Sequence, residues 1–80
     1  MNVIYTTQTC SWCQRAKTVL DQRGIDYREI DVTQDRVLQQ ELVKRSGRQT
    51  VPQVFFDDEH IGGFDDLVSH LAGQSEEAVH

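Results

Sequence analysis

The segment Thr9–Lys17, with the sequence TCSWCQRAK, contains both cysteines of the chain. It follows the apolar run Val3–Tyr5, whose β-branched and aromatic side chains are typical of a buried strand. Within and after it, apolar residues recur at the spacing of one helix face, at Cys13, Ala16, Val19 and Leu20. The sequence therefore predicts that the cysteine pair lies where a strand ends and the first turn of a helix begins.

This location favours a reactive thiol. The first turn of a helix presents unpaired backbone N–H groups and the positive end of the helix dipole, and both stabilise an anion. A thiol there has a pKa below the value of about 8.5 of a free thiol, and Arg15 and Lys17 add positive charge nearby. We expect Cys10 to be the exposed sulfur and Cys13, one turn later, to be partly covered and able to form a disulfide with it.

Two other roles for the pair have less support. A zinc site needs about four ligands, but the chain has no other cysteine, and its histidines, at positions 60, 70 and 80, lack the spacing of a ligand pair. A purely structural disulfide would stabilise little across so short a loop, because the entropic gain grows with loop length. Redox chemistry at Cys10 and Cys13 is the interpretation that the pattern favours.

Length and charge limit the class of protein. The 80 residues suffice for one small domain, and no apolar run approaches the roughly 18 residues of a membrane span. No signal peptide is recognisable, so we expect the cytoplasm, where cysteines are usually catalytic or metal-binding. The net charge of −5, from 13 acidic and 8 basic residues, disfavours a nucleic-acid-binding protein, which needs a basic surface.

The hydrophobic pattern predicts alternating strands and helices. We expect strands at 2–6, 25–32, 53–56 and 60–62, and helices at 11–23, 34–46 and 64–72. Gly24, Gly47 and Gly73 are the predicted helix stops. The order β-α-β-α-β-β-α predicts an α/β mixed sheet with helices on both faces, its first two strands parallel and its last two antiparallel. Residues 1–73 then form one domain, followed by a frayed polar tail at 74–80.

Two further segments have features of a binding site. A proline such as Pro52 usually only braces a loop before a strand. A cis Val51–Pro52 bond would instead turn the Val51 backbone toward the cysteines, where it can pair with an extended peptide. The segment Gly62–Asp66 is explained by a tight turn alone, yet it also forms a helix N-terminus that can bind a carboxylate, with Asp65 beside it to meet an ammonium group. Together these features match an amino-acid head group.

Three motifs in order relate the chain to a known family: CSWCQRAK at 10–17, SGRQTVPQVF at 46–55 and HIGGFDDL at 60–67. With these motifs the chain resembles a dithiol glutaredoxin from about Val3 to Ala72. The resemblance implies a thioredoxin-like fold with sheet order 2-1-3-4 and a cis Pro52. It also implies a glutathione-dependent thiol–disulfide oxidoreductase that reduces protein–glutathione mixed disulfides and protein disulfides.

The resemblance also implies the site residues. Cys10 would be the nucleophile and Cys13 the resolving thiol. The implied glutathione contacts are Trp12, Gln39, Arg48, Thr50, Val51, Pro52, Gly63, Phe64 and Asp65. We expect a monomer whose partners are glutathione and glutathionylated or disulfide-containing proteins.

Ser11, Trp12 and Thr7 stand where many members of the family have proline, tyrosine and lysine. Some glutaredoxins with a small residue at the position of Ser11 bind a [2Fe–2S] cluster between two subunits and two glutathiones, and Cys10 is the ligand that this implies here. A cluster-binding dimer for iron–sulfur storage or transfer is therefore the alternative function. Reduction by thioredoxin reductase instead of glutathione is a third hypothesis, which the segments around Pro52 and Phe64 disfavour.

Overall fold

The computed structural model describes residues 1–79, with the side chains of residues 1–73. The predicted element order β-α-β-α-β-β-α is confirmed. The elements of the described chain are β1 (Asn2–Thr6), α1 (Ser11–Gln22), β2 (Arg28–Asp31), α2 (Arg36–Ser46), β3 (Gln53–Phe56), β4 (Glu59–Gly62) and α3 (Phe64–Val79).

The strands form one mixed sheet in the predicted order β2-β1-β3-β4. Strand β1 is parallel to β2, as expected for two strands joined by a crossover helix, and antiparallel to β3. Strands β3 and β4 form an antiparallel hairpin. Tyr5 of β1 therefore lies between Ile30 and Gln53, and the chain leaves β1 at the centre of the sheet. The architecture is a thioredoxin-like fold.

Side chains of β1 alternate between two cores, one on each face of the sheet. Ile4 points to the core that α1 and α3 cover, which contains Leu20 and Leu67. Val3 and Tyr5 point to the opposite core, where α2 contributes Leu42. Alternation along a strand with both faces buried explains why residues 3–6 are all apolar or hydrogen-bonded and all buried.

Strand β2 is shorter than predicted. The prediction began it at Ile25, but pairing with β1 begins at Arg28, which lies opposite Val3. The Ile25 N–H instead donates to the carbonyl of Leu20 at 3.0 Å, so Ile25 continues the turn that ends α1. Helix α1 ends at Gln22, one residue before the prediction, and Gly24 follows in the left-handed conformation expected of a stop (φ 67°).

The predicted start of α2 at residue 34 is wrong by two residues. Gln34 has φ 56°, which is incompatible with a right-handed helix. Asp35 is the N-cap, and its carboxylate accepts a hydrogen bond from the Leu38 N–H at 3.0 Å. In the hairpin, β4 includes Glu59, so the turn consists of Asp57 and Asp58 and is one residue shorter than predicted.

Helix α3 continues past Gly73 to Val79, so the prediction that Gly73 ends it is wrong. Gly73 is not among the glycines with positive φ, which in the described chain are Gly24, Gly47 and Gly62. Glycine tolerates the left-handed stop conformation but does not impose it. The side chains of residues 74–79 and all of His80 lie outside the described part, and the division into a domain and a tail stays a prediction. No helix between residues 1 and 79 is long and apolar enough to cross a bilayer.

Substituting Gly73 tests this end of the fold. We expect Gly73→Ala to raise the free energy of unfolding by about 0.5–1 kcal/mol, because alanine loses less backbone entropy than glycine in a helix. A β-carbon at position 73 meets no atom within 4 Å. Urea unfolding followed by circular dichroism measures the change.

Gly47→Ala is the matched control. Its β-carbon would also meet nothing within 4 Å, but Gly47 has φ 73°, so we expect a loss of about 1 kcal/mol or more. A similar loss at position 73 would mean that α3 ends there in a left-handed stop.

Candidate functional site

Cys10 is the N-cap of α1, with extended backbone angles. Its Sγ accepts a hydrogen bond from the Cys13 N–H at 3.0 Å. Cys10 is half-buried, whereas Cys13 is fully buried, and the two form a disulfide. The structure therefore places one reachable sulfur at a helix N-terminus, where an N–H donor and the helix dipole stabilise the thiolate.

The two basic side chains predicted to add positive charge near this sulfur have different partners. The Arg15 guanidinium lies over the ring of Trp12, 4.8 Å from its centroid, in a cation–π contact. The Lys17 ammonium donates to both carboxylate oxygens of Glu29, at 3.1 and 3.3 Å, and Glu29 also accepts from the Thr6 hydroxyl. The Glu29 carboxylate therefore offsets the charge of Lys17, and the expectation that Lys17 adds positive charge near the thiol stays a prediction.

The loop before β3 faces the cysteines. The bond between Val51 and Pro52 is cis. The Val51 carbonyl oxygen lies 3.8 Å from Cys10 Sγ. Pro52 is buried and Val51 is half-buried, so the backbone of Val51 borders the reachable sulfur, as the sequence analysis predicts for a cis bond.

The third side of the site is the N-terminus of α3. The Asp66 carboxylate accepts from the Gly63 N–H at 3.0 Å and from Arg48 Nη1 at 3.2 Å, so it joins the loop before β3 to the start of α3. The hydrogen bond from the Gly63 N–H, and then the one from Arg48, hold the pKa of Asp66 below its ordinary value. Gly62 has φ 120°, and a β-carbon there would collide with this carboxylate.

These three segments enclose a cavity of about 230 Å³. The lining residues are Trp12, Arg48, Thr50, Val51, Pro52, Gln53, Gly63, Phe64 and Asp65. The rings of Trp12 and Phe64 pack 5.2 Å apart, centroid to centroid. Eight of the nine lining residues are predicted glutathione contacts, so segments far apart in sequence converge on this cavity. Cys10 is not among the lining residues, but its Sγ lies 3.8 Å from the carbonyl oxygen of Val51, which does line it. We call this the active-site cavity.

Gln39 is the predicted contact that does not line the active-site cavity. It lies in a second cavity of about 520 Å³ against α2, which shares Val51 with the first. Its Nε2 donates to the Val32 carbonyl at 2.9 Å. A contact between Gln39 and glutathione therefore stays a prediction.

Two residues of the site escaped the sequence analysis. Gln53 lines the cavity although it is only 1% exposed, and the signal for it was a polar residue opening the otherwise apolar strand QVFF. Asp66 follows Gly63 by three residues, the spacing of an acid that caps a helix start. From the sequence alone, Asp65 is the only acid of this turn with a predicted binding role.

His60 is a third residue that the sequence did not single out, and it contacts Gln53. Its Nε2 lies 2.8 Å from Gln53 Oε1, and its ring packs on Phe55 with centroids 4.9 Å apart. Burial lowers the pKa of His60 below its ordinary value, and Arg48 adds to this effect while Asp66 opposes it. Within the described residues no three histidine, cysteine or acidic side chains cluster as metal ligands.

Comparisons with known proteins agree on one family. The family model described as Glutaredoxin matches residues 2–61. Glutaredoxin 3 of Escherichia coli (strain K12) is 48% identical over 64 residues, which are 80% of this chain and 77% of the relative. A glutaredoxin of Pseudomonas aeruginosa is 45% identical over 65 residues, 81% of this chain and 77% of the relative.

Solved structures lead to the same family. The solution structure of a glutaredoxin from Brucella melitensis has a TM-score of 0.79 and 37% identity, and covers 98% of this chain and 85% of its own. A buckwheat glutaredoxin–glutathione complex has a TM-score of 0.77 and 34% identity, with 90% and 69% coverage. With the Cys10–Cys13 pair at the start of α1 and the matching sheet order, these findings show that the chain belongs to the glutaredoxin family.

Proposed function

We propose that this protein is a glutathione-dependent thiol–disulfide oxidoreductase that reduces protein–glutathione mixed disulfides and protein disulfides. Membership of the glutaredoxin family makes it a thiol oxidoreductase related to glutathione. The observation that carries the finer proposal is the reachable Cys10 sulfur, held by the Cys13 N–H and lying 3.8 Å from the Val51 carbonyl at the edge of the active-site cavity.

The cavity suits glutathione because its groups match those of a short anionic peptide. The backbone of Val51, whose carbonyl oxygen lies 3.8 Å from Cys10 Sγ, pairs with the cysteinyl unit as an added strand would. The N-terminus of α3 receives the γ-glutamyl carboxylate, and Asp65 meets its ammonium group. The Arg48 guanidinium lies in the cavity wall, where it also pairs with the Asp66 carboxylate. A solved relative, the buckwheat glutaredoxin, is described as a complex with glutathione.

The reaction on a mixed disulfide needs only Cys10. Its thiolate attacks the glutathione sulfur of the protein–glutathione disulfide, the protein thiolate leaves and takes up a proton, and Cys10 becomes glutathionylated. The thiolate of a second glutathione then attacks this bound glutathione sulfur. Oxidised glutathione leaves, and the Cys10 thiolate is regenerated. For each protein–glutathione disulfide bond that is reduced, one disulfide bond forms in oxidised glutathione.

Reduction of a protein disulfide needs both cysteines. The Cys10 thiolate attacks one sulfur of the substrate, and the Cys13 thiol, after losing its proton, attacks Cys10 and releases the reduced protein. The resulting disulfide is the one in the structure. Two glutathiones reduce it and leave as oxidised glutathione. Burial of Cys13 suits this role, because a covered thiol meets Cys10 before it meets solvent oxidants.

We further propose a monomer acting in a reducing compartment, the cytoplasm, with proteins and glutathione but neither nucleic acid nor membrane as partners. The net charge of −5 supports the exclusion of nucleic acid. A reducing compartment supports a catalytic role for the disulfide, since glutathione there returns Cys10 to the thiolate.

Substituting each cysteine tests the two branches. With a small glutathione mixed disulfide in a coupled glutathione reductase assay, we expect Cys10→Ser to lose all activity and Cys13→Ser to retain it. With a protein disulfide substrate, both variants should lose activity, because Cys13 resolves the intermediate.

Thermal unfolding of each variant is the control for this assay. Because Cys13 is buried and one turn from Cys10, its substitution can destabilise the fold, and the unfolding curve separates loss of chemistry from loss of stability. Equal loss in both variants on the small mixed disulfide, with both folded, would contradict the monothiol branch.

A second candidate function is a glutathione-ligated [2Fe–2S] dimer. Cys10 has the only reachable cysteine sulfur of the described chain, since Cys13 is fully buried. The four thiolates of such a cluster would therefore require two chains and two glutathiones. Ser11 at the first position of α1 supports this candidate by resemblance, and a poplar relative with 33% identity is described as a holo form.

Anaerobic reconstitution with iron, sulfide and glutathione tests this candidate. We expect a visible absorption band and a dimer on gel filtration, and neither without glutathione. Ser11→Pro is the matched variant, because proline is well tolerated at the first helical position, and it should keep the fold while losing the cluster. A colourless monomer from the wild-type chain would overturn the cluster proposal.

A further inference from the structure

The side chain of Gln53 is a buried polar group with both ends hydrogen-bonded. Its Oε1 lies 2.8 Å from His60 Nε2, and its Nε2 donates to the Thr50 hydroxyl oxygen at 3.3 Å. Gln53 is 1% exposed, whereas Thr50 is exposed and lines the active-site cavity. A chain of two hydrogen bonds therefore runs from His60 through Gln53 to the cavity. We call it the relay.

The relay has a direction. The carbonyl oxygen of Gln53 can only accept, so His60 Nε2 must carry the hydrogen that lies between them. Burial and then Arg48 lower the pKa of His60, with Asp66 opposing, which favours the neutral ring, whose single N–H then points to Gln53. The Gln53 amide nitrogen then donates to Thr50. Since the Thr50 oxygen accepts within the relay, its own hydrogen is available for an acceptor in the cavity.

Strand pairing and ring packing hold the relay in place. His60 lies opposite Phe55 in the β3–β4 hairpin, and its ring packs on that of Phe55. Gln53 lies opposite Tyr5 of the central strand. Aligned hydrogen bonds in a buried setting also strengthen one another. The donor direction of Thr50 is thus set by residues that do not themselves contact the reacting sulfur.

We propose that His60 and Gln53 are positioning residues that keep the Thr50 hydroxyl as a hydrogen-bond donor to a carbonyl or carboxylate oxygen of the glutathione unit bound in the active-site cavity. This inference rests on the proposed function, because it concerns how that site holds glutathione. It assigns to His60 and Gln53 an effect on binding and none on the chemical step.

Thr50 variants test the donor itself. We expect Thr50→Val to raise KM for the glutathione mixed disulfide about five- to ten-fold and to leave kcat unchanged, because one neutral hydrogen bond made equally in substrate and transition state is lost. Thr50→Ser keeps the hydroxyl and should stay within about two-fold of wild type. Thr18→Val is the matched control, since the Thr18 hydroxyl bonds the Gln14 carbonyl on the exposed face of α1.

Gln53→Glu tests the direction of the relay. A carboxylate at position 53 can only accept, so the Thr50 hydroxyl turns to donate to it and is lost to the ligand. We expect the same rise in KM as in Thr50→Val, and no further rise in the double variant. His60→Phe keeps a ring on Phe55 without the N–H, and should give a smaller rise, with His70→Phe, which packs on Phe56, as its control.

Binding of S-methylglutathione, measured by calorimetry on the same variants, separates this proposal from the proposed function. A wild-type chain that binds without turnover contradicts the proposed function, and the relay is then judged on the binding constants. An unchanged KM and binding constant in Gln53→Glu, with Thr50→Val impaired, would show that Thr50 donates to Gln53 and would overturn the relay. Equal changes in kcat and KM would also overturn it. If Gln53→Glu fails to fold, the Thr50→Val and His60→Phe variants decide the question. If neither KM nor the dissociation constant rises in either of these two variants, the relay is overturned.

Discussion

Strand β1 is buried on both faces at the centre of the sheet, and the rest of the structure depends on this constraint. Its alternating side chains give α1 and α3 one core and α2 the other. Because β1 is an inner strand, the chain leaves the sheet at the middle of one end of its strands and enters α1 through Cys10. The thiol therefore has protein on several sides. It gains an N–H donor from α1 and a neighbouring carbonyl from the loop before β3.

The active-site cavity forms because two further segments of the chain reach the same end of the sheet as Cys10. The loop at Thr50–Pro52 arrives because β3 pairs with β1, and the start of α3 arrives because β4 pairs with β3. Side chains then join these segments. Asp66 holds Arg48 and the Gly63 N–H, and Gln53 connects Thr50 to His60. A site with such supports keeps its geometry before a ligand arrives, which lowers the entropy that binding costs.

Predictions from the sequence succeeded where the signal was local. The strand–CxxC–helix pattern correctly placed Cys10 at the start of α1, and glycine stops at Gly24 and Gly47 marked the ends of two helices correctly. Errors lay at boundaries and in long side chains. The length of β2 depends on pairing with β1, and the Asp35 cap depends on the left-handed turn at Gln34. Gly73 looked like a stop, but glycine permits a stop without requiring one.

The sequence by itself determined the order of elements, the two-sided core and the place of the cysteine pair at a helix start, because hydrophobic period and the position of Cys10 are local properties. Only the tertiary structure decided which polar groups meet. Lys17 binds Glu29 across 12 residues, Arg48 binds Asp66 across 18, and Gln39 lies beside a different cavity from the other predicted contacts. Long polar side chains reach several partners equally well in sequence terms, and the packed backbone alone selects one.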